Sequence, residues 1–387
     1  MTPERQLATR ACAYAALGDL IPLYPLYALL FAEHGLSVAE ISSLLALWSV
    51  TGFVLEVPSG VVADAVSRRL LLTIAPLLSG TAFALWVIAP SYEVFALGFV
   101  LWGAQGALTS GAYEALVYEE LEHLSAADRY ASLMGRATAC STLASAVAMG
   151  LGAPLVAVGG FAAAGAVSAA ACAAAAVVGS RLPEHRGARG SGGEDEPEPS
   201  AAEALRDGTR AVRRLPALRA AVLAAAVVYA IWGSLDEYLP LLAAESGLDA
   251  AEVAIAFLAV YAAMSVGGAL AGRLEQLTQR QIAAGLAVAA VALAVGALTR
   301  EPVGLAAIAA SFGLFQALTV VLDARVQAAI EGRARATVTS LAGLLTEVVV
   351  LAVFGLYGLG AAWASHAVLF ACFAAVYLVV AALMARR

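Results

Sequence analysis

The chain has 387 residues, of which 62% are hydrophobic and 13% are charged, and its formal net charge is −7 at pH 7. Soluble domains carry about a quarter charged residues, so this composition excludes a single water-soluble core and indicates a protein whose solvent is the lipid bilayer. The acidic balance, with no basic face along the sequence, argues against nucleic acid as a partner.

Twelve segments are long and apolar enough to cross a bilayer, which takes about 20 residues each. In chain order they cover residues 9–33, 38–62, 70–89, 93–120, 131–156, 160–181, 217–243, 250–272, 281–299, 303–328, 336–357 and 362–384. The fifth and sixth segments are separated only by the turn residues Gly159 and Gly160. We therefore predict an all-α integral membrane protein with twelve transmembrane helices.

The distribution of arginine predicts the orientation in the membrane. One side carries nearly all of the arginines outside the middle segment: Arg68, Arg69, Arg129, Arg136, Arg273, Arg280, Arg325, Arg333, Arg335, Arg386 and Arg387. The opposite side has only Arg300. By the positive-inside rule the arginine-rich side is cytoplasmic. We expect a multi-pass protein of the bacterial cytoplasmic (inner) membrane with both termini in the cytoplasm.

The two halves of the chain repeat each other. Residues 182–216, rich in Gly, Pro and Glu, predict a cytoplasmic linker between an N-terminal bundle, 1–181, and a C-terminal bundle, 217–387. A shift of 212 positions aligns Glu33 with Glu245, Gly35 with Gly247, Glu40 with Glu252, Gly60 with Gly272 and Arg68 with Arg280. Such a parallel repeat predicts two pseudo-symmetric six-helix bundles with a substrate site at the repeat interface.

The loop after the second segment carries the most specific motif. Gly60, Asp64, Arg68 and Arg69 have the spacing G-x-x-x-D-x-x-x-R-R. This loop resembles the signature of the major facilitator superfamily, although Ala65 and Ser67 replace the usual basic residue and glycine. The resemblance implies the two-bundle fold of that family. It also implies that Gly60, Asp64, Arg68 and Arg69 form a latch on the cytoplasmic side, which opens during alternating access.

Two further segments resemble motifs of facilitator exporters. Gly150, Gly152 and Pro154 are similar to the fifth-helix motif of antiporters, with ordinary packing of glycine as the alternative. Gln105 follows the R-x-x-Q-G pattern of the fourth helix, but Trp102 occupies the place of the arginine. Because that arginine is tied to proton transfer in many exporters, its replacement counts against the standard drug/proton assignment.

Acidic residues inside the predicted spans are candidates for proton coupling, since an acid costs about 2.5–3.5 kcal/mol at the bilayer centre and is retained where it has a function. Asp19 and Glu347 lie about half-way across their spans, and Glu114 lies in the inner third of the fourth. A carboxyl group in an apolar cavity can load a proton on one side and release it on the other. The alternative for each is a paired or helix-capping acid. We expect a solvated helix end at Glu119, Glu120 and Glu122.

Aromatic residues and one more acid are predicted to line the substrate cavity: Tyr24, Tyr27, Trp102, Tyr113, Trp232, Asp236 and Tyr238. Aromatic rings beside buried acids suit a lipophilic cation. The alternative for each ring is a membrane-interface anchor or core packing. His366, at the start of the last span, is interpreted as passive rather than as a proton relay. Isolated cysteines predict no metal site, and we expect no cofactor.

The favoured function is secondary active transport of a small molecule by alternating access, as a proton-coupled efflux antiporter for amphipathic drugs or metabolites. The expected partners are that small molecule, protons and the lipid bilayer, and the expected state is a monomer. The alternative is an importer or facilitator of a polar metabolite, such as a sugar, nucleoside or organic acid. It is favoured by Trp102 and disfavoured by the few amide and arginine side chains in the spans. The sequence contains no catalytic constellation and no nucleotide-binding loop, so we do not expect an enzyme.

Overall fold

The structure is a computed structural model that describes residues 2–185, 216–274, 276–329 and 335–386. Every regular element in these ranges is a helix. The first half contains α1 (Pro3–Asp19), α2 (Tyr27–Glu33), α3 (Val38–Ala65), α4 (Arg68–Ile88), α5 (Tyr92–Thr109), α6 (Ala112–His123) and α7 (Tyr130–Gly179). The second half contains α8 (Pro216–Asp236), α9 (Leu239–Glu245), α10 (Ala250–Leu274), α11 (Gln279–Thr299), α12 (Gly304–Ala329), α13 (Arg335–Gly360) and α14 (His366–Ala385).

Eleven stretches of these helices are long and apolar enough to cross a membrane, and one of them contains two spans. Helix α7 has 50 residues, which at 1.5 Å per residue would be about 75 Å long, more than twice the hydrocarbon thickness. It bends where Gly159 and Gly160 leave the helical conformation, and Gly160 has a φ of 61°. The prediction of twelve spans in an all-α fold is confirmed, with the fifth and sixth spans joined through these glycines.

Three of the predicted spans consist of two helices each, which the apolar windows did not indicate. The first span breaks after Asp19, where Pro22 and Pro25 interrupt the helical hydrogen bonds. The fourth breaks at Gly111, which has a φ of 71°. The seventh breaks after Asp236, just before Pro240. The first and seventh breaks each leave an aspartate as the last residue of a helix, at Asp19 and Asp236.

The sequence repeat is visible in the local structure. Helices α2 and α9 have the same seven-residue length and are related by the 212-residue shift. Each ends in a glycine with positive φ, Gly35 at 85° and Gly247 at 92°. In both, the next residue donates its amide to a carbonyl five positions back, the arrangement of a Schellman cap. The two halves therefore share one local design at this turn.

The chain divides into two compact units, one comprising Met1–Ser191 with Asp249–Ile255 and the other Gly192–Leu248 with Ala256–Arg387. In the first unit α7 packs on α1 and α4, and α5 packs on α3 and α4. In the second, α11 packs on α12 and α14, and α8 packs on α12 and α13. Most of the predicted linker, residues 186–215, lies outside the described residues, and the predicted domain boundaries stay predictions.

Close contact between α10 and α12 depends on Gly267, where an added Cβ would overlap the carbonyl of Gly313. We expect Gly267→Ala to lower the melting temperature of the detergent-solubilised protein, because that backbone cannot yield without separating the helices, an overpacking cost of about 1–3 kcal/mol. The matched control is Gly268→Ala, whose Cβ would meet the Gln316 side chain at an ordinary 3.8 Å. Equal melting temperatures for the two variants would contradict this packing.

Candidate functional site

An acidic cluster lies inside the second unit, at the junction of α8 and α9. Asp236 and Glu237 are 6% and 7% exposed. The Tyr261 hydroxyl, from α10, donates a 2.7 Å hydrogen bond to Oδ2 of Asp236. Glu347 is half-buried near the middle of α13, which packs against α8. Asp236, Glu237 and Glu347 all lie close enough to Tyr229 to act on it electrostatically. The fold thus gathers three acids from two parts of the sequence.

Aromatic and hydroxyl groups surround the same part of α8. The Trp232 ring lies 5.4 Å from that of Tyr229 and 6.0 Å from that of Phe312, both edge to face. Its indole Nε1 donates to Oγ1 of Thr319 at 3.1 Å. Ser234 is buried, and its Oγ has no hydrogen-bond partner among the described residues. Carboxylates beside aromatic faces, with a spare hydroxyl, can bind an organic cation.

The carboxyl ends of two broken helices favour positive charge next to Asp19 and Asp236. Asp19 and Asp236 are the last residues of α1 and α8. The carboxyl end of a helix carries partial negative charge, so a cation or a bound proton is held there more readily than a bare carboxylate. Discontinuous helices use such ends to bind ions in other transporters. The two aspartates therefore occupy comparable electrostatic positions in their respective units.

The two acids predicted in the first unit, Asp19 and Glu114, lie at opposite kinds of helix end. Asp19 is exposed on the unit's surface and accepts a hydrogen bond from the Ser141 hydroxyl of α7. Glu114 lies in the first turn of α6 and is also exposed. The amino end of a helix carries partial positive charge, which stabilises a carboxylate.

Trp102 is the centre of an aromatic cluster in the first unit. Its ring centroid lies 6.1 Å from Tyr24, 6.0 Å from Tyr27, 5.2 Å from Trp48 and 5.2 Å from Phe83. Tyr24, Trp48 and Trp102 are only partly buried. The structure thus brings together the three predicted cavity residues Tyr24, Tyr27 and Trp102. Trp102 itself occupies the position of the arginine in the fourth-helix motif of facilitator exporters. Phe83, absent from the sequence-based prediction, has no polar or charged signal that could have identified it.

Two other predicted cavity residues are packed inside their own units. Tyr113 stacks on Tyr14 at 5.5 Å and donates its hydroxyl to the Ala11 carbonyl at 3.0 Å. Tyr238 has no exposed surface, and its ring stacks on Tyr357 with the centroids 3.7 Å apart. Both therefore contribute to packing of the elements that carry the site.

The loop between α3 and α4 is anchored by Glu184, a residue that the sequence analysis did not identify. Ser67 caps α4 and donates its hydroxyl to Glu184, which also accepts the Arg68 amide at 2.8 Å. The Arg68 guanidinium pairs with Glu119 of α6. Arg69 is exposed. Gly60 and Asp64 belong to α3, but their side-chain surroundings lie outside the described part of the structure.

The expected solvated helix end is wrong for Glu120. This residue is 2% exposed, and its carboxylate accepts hydrogen bonds from the backbone N and the ring Nδ1 of His185. The His185 ring stacks on His123 with the centroids 4.2 Å apart. His185, at the start of the predicted linker, therefore buries Glu120. The sequence pattern within α6 could not reveal a partner so distant along the chain. Glu119 and Glu122 are exposed, as predicted.

Twelve helical spans in two repeated halves, with acids at broken helices, are the features of a membrane transporter. The chain belongs to the Major Facilitator Superfamily, whose sequence profile matches residues 8–352. It is therefore a multi-pass membrane transporter of a small molecule. No curated protein gives a significant sequence match.

Solved transporter structures share the fold at low sequence identity. The nucleoside transporter NupG aligns with a TM-score of 0.76 and 13% identity, over 99% of this chain and 98% of that one. A bacterial homolog of the human lysosomal transporter Spinster, inward-facing and unoccupied, gives 0.72 and 16%, over 100% and 97%. The POT family transporter PepTSo gives 0.72 and 13%, over 100% and 98%.

Proposed function

We propose that the protein exports small amphipathic cations, such as drugs or secondary metabolites, in exchange for protons. The observation that carries this proposal is the pair of buried acids Asp236 and Glu237 at the end of α8, on which the helix that carries Glu347 packs. Trp232 and Tyr261 add aromatic faces next to these carboxyls. A hydrophobic cation gains from both, because burial strengthens charge pairing and cation–π contact together.

Proton coupling follows from competition for the same carboxyls. A bound proton removes the charge that attracts the cation, so protonation favours its release, and deprotonation favours its binding. We assign this role to Asp19 and Glu347, with Glu114 third. Within the first unit the proposed substrate contacts are Tyr24, Tyr27 and Trp102, and within the second unit they are Trp232 and Asp236. Tyr113 and Tyr238 would support the helices from within.

The proposed setting is the bacterial cytoplasmic membrane, with a monomer whose termini both face the cytoplasm. The arginine distribution supports this orientation, since the arginine-rich loops then meet the cytoplasm. With this orientation, the turn between α2 and α3 and the turn between α9 and α10 face the outer side of the membrane. Protons would move inward as the substrate moves outward.

The direct test is uptake of the cationic dye ethidium into everted membrane vesicles with an acid interior. An exporter in this orientation takes dye into the vesicle while protons leave it, so uptake collapses when the pH gradient is dissipated. Vesicles without the protein provide the baseline. Uptake no faster than that baseline across a panel of cationic dyes would reject the proposed substrate class.

The alternative is an importer or facilitator of a polar metabolite. It is favoured by Trp102 in place of the exporter arginine and by the fold likeness to the nucleoside transporter NupG. Against it, the described site contains mostly aromatic rings and carboxyls. Uptake of labelled nucleosides, sugars and organic acids into right-side-out vesicles tests this alternative directly.

The cytoplasmic latch proposed for Gly60, Asp64, Arg68 and Arg69 gives a further prediction. We expect Asp64→Asn to slow dye transport by about tenfold or more while membrane insertion stays normal, because the proposed latch depends on a negative charge that a neutral amide cannot supply. The matched control is Asp128→Asn, at an exposed residue in the next cytoplasmic loop. Normal transport by the Asp64 variant would remove the latch from the mechanism.

A further inference from the structure

A chain of polar groups in the second unit extends from the acidic cluster to the opposite, exposed end of α9. Its members are Tyr238, Tyr357, His366 and Glu245. Neither the substrate nor the acidic cluster requires a histidine and two fully buried tyrosines at this place. All of these groups can transfer or attract protons, and they belong to α9, α13 and α14 with the short turn before α9.

The outermost step joins Glu245 to His366. Glu245 is exposed at the end of α9, and its Oε2 accepts the backbone amide of His366 at 2.7 Å. The carboxylate also acts electrostatically on the His366 ring. The other charge at this end is Arg300, whose guanidinium donates to the Ser365 hydroxyl at 2.9 Å. An acid at the surface next to an imidazole can collect protons from water.

The second step carries the chain into the protein. Nδ1 of His366 and the Tyr357 hydroxyl are 2.7 Å apart, a hydrogen bond in which one proton can be shared. Tyr357 has no exposed surface, and its ring lies nearly parallel to that of Tyr238, with an interplanar angle of 14°. The stacked rings, with centroids 3.7 Å apart, place Tyr357 directly beside Tyr238. A buried hydroxyl is costly unless it is hydrogen-bonded, so the contact with His366 stabilises Tyr357 at this place.

The last step reaches the acids. Tyr238 directly follows Glu237 and Asp236 in the sequence, at the break between α8 and α9. The seven residues of α9, which separate Tyr238 from the end of the helix at Glu245, rise about 10 Å at 1.5 Å per residue. The polar chain runs beside this helix.

We propose that Glu245, His366, Tyr357 and Tyr238 form the path by which protons reach the acidic cluster from the outer side. A proton added to the His366 ring allows Nδ1 to donate to Tyr357, whose own proton moves on toward Tyr238 and Glu237. Each group gains one proton and gives up one, so the chain returns to its starting state. This inference rests on the proposed proton-coupled function and orientation.

Tyr357→Phe tests the path because it removes the hydroxyl and keeps the stacked ring. We expect this variant to slow acid-interior-driven ethidium uptake by about tenfold or more. Exchange of labelled for unlabelled ethidium at equal pH on both sides should stay at the wild-type rate, since it needs no net proton movement. His366→Gln, which keeps a polar side chain at the start of α14, should behave in the same way.

The control is Tyr377→Phe, at another fully buried tyrosine of this unit, whose hydroxyl donates to the Val228 carbonyl at 3.0 Å. It should leave both rates near wild type. Wild-type gradient-driven uptake in the Tyr357 and His366 variants would overturn the path while leaving proton-coupled export intact. Loss of exchange together with uptake in both variants would also overturn it and indicate a structural role. Absence of gradient-driven uptake in the wild type would reject the proposed function itself, and the path with it.

Discussion

Glu347→Gln should abolish pH-gradient-driven dye uptake in everted vesicles, with a reduction of about tenfold or more. Glutamine has the shape of a protonated glutamate but can neither release nor rebind a proton. Glu347 lies in the middle of α13 and acts electrostatically on Tyr229 together with Asp236 and Glu237. Fixing its charge at zero therefore breaks the link between proton binding and cation release. Exchange of labelled for unlabelled dye at equal pH should persist with a raised apparent KM, because Asp236 and Glu237 still attract the cation after the Glu347 charge is lost.

Asp19→Asn is measured alongside it, since both acids are proposed proton carriers. Loss of gradient-driven uptake in one variant and not in the other would identify the carrier. The matched control is Glu301→Gln, at an exposed glutamate in the loop before α12. If Glu347→Gln and Asp19→Asn both keep the wild-type gradient dependence, as the control Glu301→Gln should, then these two residues do not couple transport to protons. Immunodetection of each variant in the vesicles separates failed transport from failed insertion.

Trp102→Leu should raise the apparent KM for ethidium by about tenfold, equivalent to about 1.4 kcal/mol of lost binding. Trp102 holds the aromatic cluster together through contacts with Tyr24, Tyr27 and Trp48. Leucine keeps apolar volume but removes the π-face that attracts a cation. The maximal rate under a pH gradient should change much less than the KM, because no proton carrier is altered.

Two substitutions sharpen this prediction. Trp102→Phe keeps a π-face and should cost less affinity than leucine. Trp363→Leu is the control, because Trp363 is 86% exposed and lies in the turn before α14. An unchanged KM in Trp102→Leu would exclude this cluster from cation binding. A KM raised for labelled nucleosides rather than for the dye would favour the polar-metabolite alternative.

The sequence alone determined the features that follow from the bilayer and from local chemistry. The number of spans could be predicted because each must supply about 20 apolar residues, and even the hardest division, at Gly159 and Gly160, is marked by glycine. The repeat could be predicted because turn residues have fixed backbone requirements. Gly35 and Gly247, which the repeat aligns, both adopt positive φ in the structure. The loop motif similarly indicated the family through its spacing.

Only the tertiary structure decided which side chains meet. Glu347 and Asp236 lie on different helices, and nothing in either helix's periodicity indicates that both lie near Tyr229. Glu120 has the sequence pattern of a solvated helix end, yet His185 covers it. His366 was interpreted as passive, and its hydrogen bond to Tyr357 became visible only in the fold. In lipid, apolar surface is matched on every face, so hydrophobic periodicity loses its power to say which side of a helix faces its neighbours.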